Sequence, residues 1–148
     1  MHFSLVVSKW NSEITETMYT AALEVLQKSG CPLKNIYRID VPGSFEIPLG
    51  AKLTLDKQKP DAVICIGCVI QGETRHFDFI CHPLSSALMH LGLEYNKPVI
   101  FGILTTENMN QAVERSGGKH GNKGSEAAVT AIRMVFLKKQ LDQLKQSG

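Results

Sequence analysis

Residues 61–67, Asp-Ala-Val-Ile-Cys-Ile-Gly, form a short, β-branched and almost uniformly apolar run. A strand with no polar face reads as one covered on both sides, the condition of an inner strand in a parallel sheet. Parallel neighbours need long crossovers, and the rest of the chain supplies them. Residues 3–7 read as a first strand, 35–41 as a second ended by Pro42-Gly43, and 98–104 as a fourth buried run. Between the first two, Ile14, Met18, Ala21, Ala22, Val25 and Leu26 recur at helical spacing. Asn11 or Ser12 is the expected cap, and Gly30 before Cys31-Pro32 the stop. A short helix is predicted from about Ser44, with Pro48 in its first turn, and a crossover helix over 78–96. Residues 105–108 cap another short helix, and a long amphipathic helix covers 122–144. Alternating strands and helices imply right-handed βαβ units. The predicted fold is α/β: a three-layer αβα sandwich with a four-stranded parallel, flavodoxin-like sheet in the order 2-1-3-4.

At 148 residues the chain reads as one domain, 1–148, with no linker, repeat or low-complexity segment. A net charge of +2 is too small to argue for nucleic acid, although Arg115, Lys119, Lys123, Arg133, Lys138, Lys139 and Lys145 skew the last third basic. That skew also suits a phosphorylated small molecule. The first residues lack the pattern of a secretory leader, and no apolar run approaches the ~20 residues needed to span a bilayer, so a cytoplasmic location is expected. Cys65 and Cys68 have CxxC spacing, but redox motifs open a helix whereas Cys65 lies within a strand. Cys81, His76 and His82 make no familiar zinc spacing with that pair, so reduced thiols and no metal are expected.

In the order 2-1-3-4, the carboxyl ends of the strands bring together Trp10, residues 44–46, residues 68–76 and residues 105–108. Ligands of open α/β sheets bind at such an edge. Trp10 lies between strand and helix, where an aromatic is either a packing plug or a stacking platform for a flat ligand. Glu46, near a helix start, is either a charge favoured by the helix dipole or a ligand group. Residues 68–79, CVIQGETRHFDF, are read as the polar loop after the third strand, with Gly72 permitting the turn. Phe101 is mid-strand, so its default place is the core. The glycine-dense stretch 116–125, SGGKHGNKGS, lacks the Walker spacing, and no dinucleotide fingerprint follows the first strand, so no nucleotide cofactor is expected.

Five ordered blocks carry a more specific likeness: Trp10-Asn11, VPGSFEIP (41–48), GCVIQGETRHFDF (67–79), PVIFGILTTEN (98–108) and ERSGGKHGNKGSEAA (114–128). Together they resemble lumazine synthases over essentially the whole chain. These enzymes condense 5-amino-6-(D-ribitylamino)uracil with 3,4-dihydroxy-2-butanone 4-phosphate, giving 6,7-dimethyl-8-ribityllumazine, phosphate and water, without metal or organic cofactor. The resemblance implies that Trp10 stacks on the pyrimidine and that Ser44, Phe45 and Glu46 line the ribityl-uracil site, with Glu46 accepting from ribityl hydroxyls. Cys68, Val69 and Ile70 are implied to bind the pyrimidine edge through backbone groups. Glu73 and Thr74 offer amides to the phosphate, Arg115 pairs with it, and Lys123 is a further cation on that side. His76 matches the proton-transfer histidine, and Phe101 reaches in from a neighbouring subunit.

Many relatives have Phe at the Trp10 position, and with the first strand read from residue 3 the longer arm of many relatives is not expected. The uninterrupted GGKHGN (117–122) resembles the hinge of members that build sixty-subunit shells. A homopentamer is therefore implied, alone or as the unit of a shell. The readings that compete with the enzyme are a flavin-binding module using the Trp10 platform and a mainly structural shell protein.

Overall fold

The computed structural model describes residues 1–146. Four parallel strands, β1 (Phe3–Ser8), β2 (Ile36–Val41), β3 (Ala62–Ile70) and β4 (Val99–Thr106), form a sheet in the order β2-β1-β3-β4. This is the expected flavodoxin-like α/β order. β1 and β3 are the inner strands; β1 is buried throughout and β3 at every residue but its last.

Alternation along β3 divides the core in two. Ile64, Ile66 and Cys68 face one layer with Phe3, Leu5 and Val7, where α1 (Ser12–Lys28) and α5 (Lys123–Gln146) pack through Met18, Leu26, Ala127 and Ala131. Val63, Cys65 and Val69 face the other, against α2 (Ile47–Lys57) and α3 (His76–Tyr95) through Ile47, Leu55, Leu84 and Leu88. α1 and α5 touch closely because Gly124 lies on the backbone of Met18: a Cβ there would stand 2.6 Å from the Met18 carbonyl carbon.

Several boundaries differ from expectation, each for a physical reason. β3 runs on to Ile70 instead of ending near Gly67, because Val69 and Ile70 are paired with Thr105 and Thr106 of a β4 that is also longer than expected. The polar loop therefore shrinks to about residues 71–75, and α3 opens at His76 rather than at 78. Asn11 occupies the cap position of α1 without capping it: it is left-handed (φ 58°), and its side-chain amide donates instead to the carbonyl of Cys68 at 3.0 Å. Residues 44–46 form a 3-10 turn ahead of α2, with Pro48 at the helix start.

After α4 (Met109–Arg115), capped by Asn108 accepting from the Gln111 amide, the glycine-dense stretch forms a small antiparallel hairpin. Its strands are β5 (Ser116–Gly118) and β6 (Gly121–Asn122). The Asn122 carboxamide oxygen accepts from the Gly124 amide at 2.8 Å and from that of Ser125, starting α5. α5 is less simply amphipathic than its spacing suggests. Ala127, Ala128, Ala131 and Val135 are buried, yet Met134, Phe136, Leu137, Leu141 and Leu144 are exposed. Among the described residues, no helix is long and apolar enough to cross a membrane.

Candidate active site

Three strand ends meet at one cavity of about 610 Å³, lined by Trp10 and Asn11 after β1, Gly43 to Glu46 after β2, Cys68 to Ile70 at the end of β3, and His76, Phe79 and Ile80 on the first turns of α3. Backbone bonds weld the first two loops together, the Lys9 amide donating to the Val41 carbonyl at 2.8 Å and the Trp10 amide to that of Pro42 at 3.1 Å. The Asn11 bond to Cys68 ties in the third. The walls are therefore fixed while the aromatic groups over them are bare: Trp10 is 73 % exposed, Phe45 62 % and Phe79 71 %.

The floor carries the clearest chemical signal. Ser44 is buried, and its hydroxyl is the only buried side-chain oxygen or nitrogen among the described residues without a hydrogen-bond partner. An orphaned buried hydroxyl is costly; Ser44 lines the cavity, with this oxygen lying beneath the cavity surface. Gly67 makes the room: a Cβ there would lie 2.7 Å from Ser44 Oγ. The Glu46 carboxylate lies beside Gly43, 3.1 Å from where a Cβ of that residue would be. Cys68 presents its backbone to the cavity while its thiol lies in the core, where burial pushes the pKa up to about 11. It is a protonated packing group near neutral pH, not a nucleophile. His76 is exposed, and its amide donates to Thr74 Oγ1 at 3.3 Å.

The remaining predicted residues lie elsewhere. Phe101, Arg115 and Lys123 line a second, more polar cavity of about 310 Å³ with Thr105, His120 and Glu126, built by β4, the end of α4, the hairpin and the start of α5. Phe101 is half-buried and packs on the α2–α3 layer as well as lining this cavity. Lys123 pairs with Glu126 at 3.7 Å, and the hairpin is tied down by the His120 amide donating to the Glu114 carbonyl at 2.9 Å and the Lys119 amide to the Glu114 carboxylate at 2.8 Å. Glu73 and Thr74 are exposed on the loop after β3 and line neither cavity. Sequence reasoning missed Asn11, Phe79, Ile80 and His120 as lining groups. Asn11, Phe79 and His120 stand in the blocks that carry the family likeness, and Phe79 and Ile80 lie three and four residues beyond His76 and so on its helix face.

Comparison with known proteins places the chain in a family. The family model described as 6,7-dimethyl-8-ribityllumazine synthase matches residues 1–139. A protein of that name from Cytophaga hutchinsonii is 59 % identical over 133 residues, covering 90 % of this chain and 84 % of its own. One from Flavobacterium johnsoniae is 51 % identical over 138 residues, 93 % of this chain and 73 % of the relative. Another from Parabacteroides distasonis is 47 % identical over 135 residues, 91 % of this chain and 84 % of its own. The chain belongs to the 6,7-dimethyl-8-ribityllumazine synthase family.

Proposed function

We propose that the chain is a lumazine synthase, a transferase of riboflavin biosynthesis, condensing 5-amino-6-(D-ribitylamino)uracil with 3,4-dihydroxy-2-butanone 4-phosphate. The observation that carries this reading, beside the family, is a single cavity at three strand ends that gathers the bare rings of Trp10, Phe45 and Phe79 with Glu46 and His76. Trp10 stacks on the pyrimidine, Ser44, Phe45 and Glu46 receive the ribityl-uracil, and the backbone of Cys68, Val69 and Ile70 meets the ring edge. The substrate's own amine is the nucleophile, so the protein supplies position and proton transfer. His76, an imidazole at the cavity wall, moves protons during imine formation, phosphate loss and ring closure.

The phosphate belongs to the second cavity, where the Arg115 guanidinium matches its oxygens and Lys123 adds charge. Glu73 and Thr74 offer amides from the β3–α3 loop. Phe101 shares the cavity of Arg115 and Lys123, so if it reaches a neighbour's ring site, those cations go with it. We infer that each working site joins the Trp10 cavity of one copy to the Arg115 cavity of another. The bare apolar residues of α3 and α5, among them Met89, Leu93, Leu137 and Leu141 around a groove of about 950 Å³, support burial between copies, and the assembly we infer is a homopentamer, alone or as the unit of a shell. The chain then acts as one domain in the cytoplasm.

Absorbance and fluorescence of the product, followed on mixing protein with both substrates beside an enzyme-free control, test the activity. Lumazine well above the control is expected. Background-level product with a flavin quenching the emission of Trp10, the single tryptophan, is the outcome for a binding module. Co-expressing His76→Ala and Arg115→Ala chains tests the shared site: mixed assemblies regain activity beyond either variant alone if the two cavities come from different copies.

A further inference from the structure

Trp10 projects from its turn with 73 % of its surface exposed, so its own packing does little to orient the ring. Its direction is set by the backbone of residues 8–11. Hydrogen bonds hold that turn from within, Ser8 Oγ donating to the Trp10 carbonyl at 3.4 Å and Thr15 Oγ1 to the Ser8 carbonyl at 2.8 Å. A second set of contacts holds it from outside. Arg38 and Asp40, two residues apart on edge strand β2, point to the same side. The Arg38 guanidinium forks onto both carboxylate oxygens of Glu16 on α1, Nη1 donating at 2.9 Å, and its Nε donates to Asp40 at 2.9 Å. The second oxygen of Asp40 pairs with Lys9 at 3.4 Å, and the guanidinium carbon lies 4.3 Å from the centroid of the Tyr19 ring.

The signs alternate along this line: Lys9, Asp40, Arg38, Glu16. Lys9 immediately precedes Trp10, and Glu16 lies in the first turns of the helix that follows it, so both arms of the turn are fastened to one strand. An isolated exposed ion pair does little, but this one is forked, stacked on an aromatic face and centred on a side chain only 24 % exposed. The bonds from Arg38 hold the Glu16 carboxyl below its usual range and push the guanidinium's own pKa higher.

We propose that Arg38 is a positioning residue for the Trp10 platform: by clamping Glu16 and Asp40, and through Asp40 Lys9, it sets the angle at which the indole meets the pyrimidine. The inference rests on the stacking role given to Trp10 above.

The test is steady-state kinetics of Arg38→Met, Arg38→Lys, Glu16→Gln and Trp10→Ala, varying each substrate in turn, with Trp10 emission followed as ribitylaminouracil is titrated. Arg38→Met should raise KM for ribitylaminouracil by about two- to tenfold, the worth of one aromatic contact, with kcat and the KM for the phosphorylated substrate little changed. Quenching of Trp10 should weaken in step. Arg38→Lys, which keeps the charge but loses the fork, should fall between, and Glu16→Gln gives a second reading should Arg38→Met fold poorly. If Trp10→Ala raises that KM while Arg38→Met and Glu16→Gln leave it and the quenching unchanged, the clamp is structural only and the proposal is wrong. If Trp10→Ala itself leaves the KM unchanged, the stacking role fails first and takes the proposal with it.

Discussion

The Trp10 cavity is built by the loops after β1 and β2, the last residues of β3 and the first turns of α3, whereas the Arg115 cavity is built by β4, α4, the hairpin and the start of α5. The first is twice the volume, about 610 against 310 Å³, and is rimmed by aromatic rings over an unpartnered hydroxyl. The second holds Arg115, Lys123, His120 and Glu126 and one ring, Phe101. One suits a flat heterocycle with a polyol, the other an anion. A reaction joining a heterocycle to a phosphorylated ketone needs both, and within one chain they are separate cavities. Their supports differ too: backbone bonds between loops hold the first, and a helix packed on Gly124 carries the second.

That difference in support gives the largest expected effect. Gly124→Ala drives a Cβ into the Met18 backbone, which cannot move aside as a side-chain end could. A loss of about 1–3 kcal/mol or more is expected in thermal or denaturant unfolding, because overpacking against backbone finds no easy relief. In protein that still folds, displacement of the start of α5 should cripple use of the phosphorylated substrate while ribitylaminouracil still quenches Trp10. Equal loss of both would mean that the two cavities are not separately supported.

Next in size is His76→Ala, expected to slow turnover by about 10² or less, since proton transfer is a smaller part of the task than positioning. A fall beyond about 10⁴ in a folded protein would show that His76 has been underweighted. Arg115→Ala should lower kcat/KM for the phosphorylated substrate by about tenfold or a little more, the worth of a charged hydrogen bond, with the KM for ribitylaminouracil nearly unchanged. Unchanged kinetics in the phosphorylated substrate would remove Arg115 from the site and break the division of labour between cavities.

How much of this was legible in the sequence follows the range of the interactions. The strand order and the meeting of Trp10, Ser44 and Cys68 come from local patterns and one topological rule, so the chain alone gave them. The end of β3 did not, because whether Val69 and Ile70 are strand depends on Thr105 and Thr106 arriving beside them. Asn11 looked like a helix cap because its side chain can accept from a free amide; a carbonyl 57 residues away took that side chain instead. The hairpin at 116–122 was hidden because its glycines report permissive backbone without saying what it pairs with. Gly117 and Gly121 have φ of 122° and 81°, and the pairing is fixed by bonds to Glu114 and Asn122. That Arg115 and Trp10 line different cavities could not be read from the motifs: the likeness sends Phe101 to a neighbouring subunit but attaches no copy to Arg115.

The smallest expected effect separates backbone from side chain within the Trp10 cavity. Cys68 lines it, yet its thiol packs in the α1–α5 layer and only its main chain is offered to a ligand or to Asn11. Cys68→Ala should therefore leave both KM values and kcat within about twofold, at a stability loss on the order of 1 kcal/mol for the vacated volume. The same burial makes a pH test. With the folded pKa raised from 9.0 to about 11, stability is full below the thiol's ordinary pKa and is lost as pH climbs from about 9 toward 11, where the unfolded chain ionises and the folded one resists. Cys65, also pushed up by burial, adds to that slope, so Cys68→Ala should flatten the alkaline fall without abolishing it. Native protein should likewise resist alkylation at both positions near pH 8. Rapid alkylation of Cys68 with loss of activity would instead place its sulfur in the cavity, and the contrast between a backbone-lined ring site and a side-chain-lined anion site would no longer hold.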